Sequence, residues 1–288
     1  MGPQFLFKDR NALLVTKHHK EKVIIPVMQE AFGLRIMVAD KVDTDQFGTF
    51  SGEIERPDTQ HKTARLKILK AFELYPEIEI AIASEGAFNP HPDCPFIPVN
   101  TEIVMLIDRK NGLEISGHYL SLAAGVKEST VSSMKEAFEF AEVIGFPGHG
   151  VILKASIYEN RKEYIFKDAL TRSTLEEVLH FLFTHSLDGS IQMQTDMRAH
   201  RNPARMENIR LATLELVKTI KRTCPQCSTP GFDVKEVIKG LPCSWCGSPT
   251  KSTLSYIYEC KKCNHMAEKL FPHGKQKEEP SLCDCCNP

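Results

Sequence analysis

Residues 224–286 carry four short repeats, Cys224-Pro225-Gln226-Cys227, Cys243-Ser244-Trp245-Cys246, Cys260-Lys261-Lys262-Cys263 and Cys283-Asp284-Cys285-Cys286. Two thiolates three residues apart on a tight turn reach one side of a tetrahedral ion, and two such knuckles close a four-sulfur site with no place left for water. Eight ligands therefore predict two structural Zn²⁺ ions, whose task is folding rather than chemistry, because so small a module buries little core. The spacing permits sequential pairing, first knuckle with second and third with fourth, and equally an interleaved one, first with third and second with fourth. Gly247 supplies turn freedom after the second knuckle. Cys285 reads as a spare thiol and His265 as an exposed strand residue.

Cysteine usage also divides the chain. Cys94 is the single cysteine before Cys224, so the expected domains are 1–221 and 222–288, with the boundary beside Arg222. The 42% hydrophobic and 25% charged residues are ordinary for a water-exposed globular fold, and a formal net charge of −1 gives no general reason to expect a polyanionic partner. The first residues are interrupted by Lys8, Asp9 and Arg10, and no apolar run has the length of a membrane span. Leu6 stands where a myristoylation motif has Ser or Thr. The expected compartment is the cytosol, where reduced thiols favour metal over disulfides.

In the first 221 residues, strand and helix patterns alternate. Strands are expected at 12–16, 34–39, 78–83, 102–108, 113–121, 151–155 and 164–167, with an Asn111-Gly112 hairpin turn joining two of them. Helices are expected over 21–32, from the caps Asp58 and Thr59 to Tyr75, after the capping-box pairs Ser133/Glu136 and Ser173/Glu176, and from Asn202-Pro203 to about Ile220. This interleaving predicts an α/β fold, a mixed sheet covered by helices, followed by a zinc-ribbon-like module.

Polar clusters interrupt these elements at their ends. Thr16, Lys17, His18, Lys20 and Lys22 join the first strand to its helix, where backbone amides and lysines suit a phosphate. A long loop, 43–57, contains Glu53 and Glu55 and leads to a helix bearing Arg65. Glu85 follows a strongly apolar strand immediately before Gly86, the position where α/β folds place ligand and metal groups. His200 and Arg201 belong to a cation-rich segment, 194–205. His91 and Cys94 have weaker claims.

Several long stretches, DTDQFGTFSGEIERP (43–57), ASEGAFNPHP (83–92), GFP (145–147), DMRAHRNPARM (196–206) and the terminal DCCNP, resemble a bacterial family known as a domain of unknown function. The first domain also resembles, more distantly, the inosine triphosphatase-like house-cleaning nucleoside triphosphate pyrophosphatases. The matching positions are Thr16, His18 and Lys20 or Lys22 in the phosphate turn, Ser51-Gly52-Glu53 through Arg56-Pro57 ahead of Ala64-Arg65, Glu85-Gly86-Ala87, and Ala199-His200-Arg201. His18 stands in place of the family's asparagine and Ala199 in place of its serine. The resemblance implies a Mg²⁺-dependent hydrolase of a nucleotide or other phosphorylated small molecule. Glu85, with Glu53 or Glu55, would hold the metal and orient water, while Lys17, Lys20, Lys22 and Arg65 would neutralise phosphate. His200 and Arg201 would contact the base or an outer phosphate. The alternative is a non-catalytic ligand sensor whose zinc module binds nucleic acid or protein. For that module, Lys251, Lys261, Lys262 and Lys269 form a modest basic face. Trp245, Tyr256 and Tyr258 read first as its small core and second as stacking residues.

Overall fold

A computed structural model describes residues 3–44, 59–91, 94–122, 126–158 and 163–288. A short helix, α1 (Pro3–Phe7), precedes β1 (Asn11–Val15), whose apolar side chains are all buried. The chain then forms α2 (Glu21–Phe32), β2 (Arg35–Val38), α3 (Gln60–Leu74), β3 (Ile80–His91), β4 (Cys94–Asp108) and β5 (Leu113–Leu122). These five strands make one mixed sheet in the order β2-β1-β3-β4-β5, with β1 parallel to both neighbours and β3-β4-β5 an antiparallel meander. The expected hairpin is present: Asp108 faces Leu113 across a turn in which Gly112 takes φ 64°. Strands β3 and β4 run well beyond their expected ends, because their continuation is polar yet still paired.

Both faces of this sheet are covered. On one, Leu14, Ile80, Ile82, Val104 and Leu106 pack with Ile24, Met28 and Phe32 of α2 and with Ile209, Ala212 and Leu216 of α6 (Pro203–Lys221). On the other, Leu13, Ala81, Ala83, Ile103 and Met105 pack against Ala64, Ile68 and Ala71 of α3. The inward stripe of α2 is Ile24, Met28 and Phe32, which fill the interior, while Val23, Val27 and Ala31 flank them.

A second sheet was not expected. It comprises β6 (Glu128–Val131), β7 (Val151–Ser156), β8 (Glu163–Phe166) and β9 (Ile191–Thr195) in the antiparallel order β6-β9-β7-β8. Helices α4 (Met134–Ile144) and α5 (Arg172–His185) cover one face through Phe140, Ile144, Leu175, Leu179 and Leu182. Strands β6 and β9 carry few apolar residues, so their pattern gave little signal. Ser133 caps α4 by accepting from Glu136 N–H, as expected. The cap of α5 is Thr171, accepting from Thr174 N–H, and Ser173 falls inside the first turn. Asn202 caps α6, with Pro203 in the first turn.

Helix α6 lies against β5 at Gly117, where a β-carbon would overlap the backbone of Leu216 and Ala212. Helix and strand therefore meet backbone to backbone. Gly117→Ala is expected to cost about 3 kcal/mol, read as a lowered urea midpoint, since neither partner has a flexible side chain to yield.

Beyond α6 come β10 (Asp233–Lys239), β11 (Thr253–Glu259) and β12 (Met266–Leu270), an antiparallel sheet with β11 in the centre. This module adjoins the amino-terminal end of the large sheet: Gly231 abuts Ile115, and a cleft of about 450 Å³ is lined by Leu6, Arg10, Leu113, Thr229 and Lys262. No helix among the described residues is long and apolar enough to cross a membrane.

Candidate functional site

The eight knuckle cysteines gather as Cys224, Cys227, Cys260 and Cys263 in one set and Cys243, Cys246, Cys283 and Cys286 in the other. The pairing is thus interleaved, because the β11–β12 hairpin returns the third knuckle to the first. Sulfur separations are 3.7 Å for Cys224–Cys263, 3.6 Å for Cys227–Cys260, 3.9 Å for Cys243–Cys286 and 3.7 Å for Cys246–Cys283. A tetrahedron with metal–sulfur bonds of about 2.3 Å has edges of about 3.8 Å. A disulfide would need about 2.05 Å. Each set is therefore dimensioned to hold one metal ion.

The turns explain how. Ser228, Gly247 and Asn264, each directly after the second cysteine of its knuckle, take φ of 59°, 75° and 58°. Their amides donate to the carbonyls of Cys224, Cys243 and Cys260. Hydrogen bonding to Ser248 holds the Cys246 thiol down to about 6, whereas hydrogen bonding with Cys246 pushes Cys286 up to about 12. A divalent cation would take all four sulfurs of such a set as thiolates. Cys285 is exposed and outside both sets, and His265 stacks on Phe232 instead of joining one.

A second cluster lies at the opposite end of the large sheet. Helix α2 leaves β1 toward one face and α3 enters β3 from the other, so the crevice beyond the carboxyl ends of β1 and β3 is a topological switch point. Lys20 is buried there, and its ammonium donates to Ser84 Oγ at 3.2 Å. Burial, then the charge of Arg205, lowers its pKa to about 8. Ser84 and Glu102 share the α2/α6 face, where Arg205 Nε donates to Glu102 Oε1 at 2.6 Å with both side chains almost wholly inaccessible. Glu102 Oε2 is buried with no hydrogen-bond partner among the described residues. Gly86, opposite Glu102, gives this pair its room, since a β-carbon would strike both side chains. Glu85 points to the α3 face and is paired with Lys67.

His18 and His19 both adopt left-handed backbone, with φ of 64° and 59°, a conformation uncommon outside glycine and concentrated at functional sites. His18 stacks on His200 with ring centroids 5.0 Å apart, and burial, then the neighbouring His200 and Lys20, lowers it to about 3. The helix that follows begins at Lys20 without a side-chain cap, unlike α3, α4, α5 and α6.

Of the expected site residues, the structure brings His18, Lys20, Glu85 and His200 near one another. Thr16 is buried at the end of β1. Lys17 extends outward to Asp43 at 2.9 Å, and Lys22 is exposed on α2. Arg65 does not turn toward Glu85; its Nε donates to Glu114 at 3.0 Å on the outer side of α3. Arg201 donates to the Ala169 carbonyl and its backbone accepts from Gly150, tying the second sheet to α6. Glu53 and Glu55 lie outside the described residues. Sequence reading assigned no role to Lys67 or Glu102, and it noted Arg205 only as part of the cation-rich segment 194–205. The signal for Lys67 was available, since a lysine between Ala64, Ile68 and Ala71 interrupts a buried stripe.

Among the described residues, Lys20, Lys67 and Arg205 against Glu85 and Glu102 give this cluster three cationic and two anionic side chains. A search of curated proteins finds no match to the chain. A family model for a domain of unknown function, DUF6671, matches residues 67–288, spanning Lys67, Glu85, Glu102, Arg205 and all eight knuckle cysteines, and the chain belongs to that family.

Proposed function

We propose that the switch-point crevice binds and hydrolyses a phosphorylated small molecule, and that the two cysteine sets hold structural Zn²⁺. The observation that carries the first reading is Lys20, a buried ammonium beside the uncapped amino end of α2 in that cluster of cationic and anionic side chains. Such a site compensates an anion: the ammonium, the positive amino end of the α2 dipole and Arg205 suit the charge a phosphoryl group brings. The order of Thr16, His18 and Lys20, then Glu85, then His200 along the chain, similar to that in inosine triphosphatase-like pyrophosphatases, supports the same reading. Tetrahedral thiolate sets match zinc, and their reduced state fits a cytosolic chain.

Glu85, fixed by Lys67, is the candidate to orient the attacking water, and neutral His18 lies against the phosphate turn without adding repulsion to Lys20. Mg²⁺, for which Glu85 with Glu53 or Glu55 is the candidate set, would supply neutralisation of phosphoryl charge and a polarised water. Among the described residues Glu85 and Glu102 occupy opposite faces of the sheet, so these two do not form the metal site together.

The test is release of phosphate or pyrophosphate from a nucleotide and sugar-phosphate panel, with and without Mg²⁺, using metal-replete protein. Activity is expected to fall at least about a hundredfold in Glu85→Gln. Turnover unchanged in that variant would remove Glu85 from the mechanism, and no release from any substrate by folded protein would remove the hydrolase.

Lys20 also sets a pH dependence. Phosphate affinity is expected to be full below pH about 8 and to fall as Lys20 deprotonates through that value. Calorimetric titration across pH 6–10 checks this, with Lys20→Met flattening the profile. Fold stability moves oppositely: between about 8 and 10.5 the unfolded chain binds the extra proton, so stability rises with pH there.

A further inference from the structure

The aromatic residues of the cysteine module are not its core. Its buried positions are Cys224, Cys243, Cys260, Cys283, Leu241, Thr229, Thr250, Ser255 and Glu278, with no ring among them. The rings are arranged by strand register instead. Tyr256 faces Val237 and Lys269 across the sheet, and Tyr258 faces Val234 and Ala267, so these side chains share one surface. The alternate residues of β11 take the other surface, where Ile257 faces Glu236 and Glu268, and Glu259 projects on the same side.

A continuous strip of five rings results. His265 stacks on Phe232 at 5.9 Å, and Phe232 on Tyr258 at 5.6 Å. Tyr258 meets Tyr256 edge-on at 6.4 Å, and Tyr256 meets His273 edge-on at 5.6 Å. Four of the rings are half-buried against their neighbours and His273 is exposed. The Arg222 guanidinium lies 5.9 Å from the Tyr258 ring centre and is ion-paired with Asp233 at 2.6 Å. Exposed Lys269 stands on the ring-bearing surface, and exposed Lys261 and Lys262 occupy the knuckle that precedes His265. The carboxylates Glu236, Glu259 and Glu268 all leave from the opposite surface. Lys269 thus stands beside the tyrosines, while the opposite surface carries these carboxylates, of which Glu259 is paired with Lys235.

We propose that this surface binds single-stranded nucleic acid, with unpaired bases stacking on Tyr256, Tyr258 and Phe232 and the phosphate backbone running against Lys269 and the third knuckle. Flat rings at successive positions suit bases, each of which presents a π-face whatever its sequence, and the cations suit the backbone between them. An acidic peptide would satisfy the cations and leave the strip without a counterpart. Duplex DNA would keep its bases stacked on one another, out of reach.

Fluorescence anisotropy with a labelled oligothymidylate and the full, zinc-replete chain tests the assignment. Saturable binding is expected at low salt, weakening linearly in log–log form as salt rises. Tyr256→Ala and Tyr258→Ala are each expected to weaken binding about tenfold, whereas Tyr258→Phe, which keeps the ring, stays close to the parent. Lys269→Glu, an exposed change that leaves the fold alone, should weaken binding and reduce the salt slope by about one. Absence of binding at low salt would overturn the proposal, as would unchanged affinity in both Lys269→Glu and the tyrosine-to-alanine variants. Equal affinity for duplex DNA would also overturn it, and equal affinity for polyglutamate would reassign the surface to acidic protein segments.

Discussion

Cys260→Ser is expected to halve the bound zinc, leaving one ion per chain in place of two, as measured by elemental analysis of purified protein. The magnitude is large because each four-sulfur site is closed by two knuckles far apart in sequence, and a structural zinc site is worth on the order of 10 kcal/mol of folding free energy. Removing one of four thiolates opens the site joining the end of α6 to the β11–β12 hairpin. A double substitution then reads the connectivity. Cys227→Ser with Cys260→Ser strikes a single set, so one ion should remain; sequential pairing would lose both. Retention of the second ion also measures how far Cys243, Cys246, Cys283 and Cys286 assemble without the first site. Strong chelators should abolish the whole three-stranded sheet, whose buried residues are mostly ligands and small polar groups rather than an apolar interior.

Arg205→Ala is expected to destabilise the α/β domain by about 3–5 kcal/mol, because it strands the Glu102 carboxylate where water cannot reach it. The Arg205 side chain also donates to the Met197 carbonyl at 2.6 Å, so the same change frees the turn leading into α6. Replacing both partners with apolar residues, Arg205→Met with Glu102→Leu, should recover most of the loss, since neither charge is then left alone. Urea unfolding of the two single variants and the double variant gives the coupling directly. If Arg205→Ala unfolded at the same urea concentration as the parent, the buried pair would contribute nothing and the crevice would have to be solvated. Phosphate titration of the double variant adds a functional reading: loss of affinity with stability restored would separate anion binding from mere scaffolding.

Much of the architecture was legible because periodicity and caps coincide. The run 12–16, the helix 21–32 and the Asn111-Gly112 turn each carry a local signal that tertiary contacts reinforce. Other features were hidden for definite reasons. The β9 strand alternates apolar and polar residues over only five positions and β6 has a single apolar residue, Val131, too little pattern to separate from loop. The polar extensions of β3 and β4 look like loop by composition, yet they are held by pairing with each other. Thr171 rather than Ser173 caps α5 because both satisfy the same chemistry two residues apart.

The candidate sites divide similarly. Knuckle spacing named the eight thiols that gather in the two sets, and only the partnership between knuckles needed three dimensions. At the crevice, Lys20 and Glu85 followed from their places at strand and helix ends. Glu102 and Arg205 meet across 103 residues of chain, and no local pattern announces such a pair. Arg65 shows the converse error: helical periodicity places it beside the apolar stripe, but Glu114 on a neighbouring strand decides which way it turns.

Helix α6 holds the Arg205–Glu102 pair at its first turns and releases the chain into the first knuckle just past Lys221, so its 19 residues bridge about 27 Å between the two candidate sites. With α6 seated backbone to backbone at Gly117, the azimuth of the cysteine module is a matter of helical phase. One residue inserted between Leu216 and Lys221 would swing the module by about 100° around the axis and carry it off Ile115, whereas a full added turn would nearly restore its bearing one pitch farther out. The spacing between Leu216 and Cys224 is therefore a dial, and the family's tolerance for insertions should be lowest there.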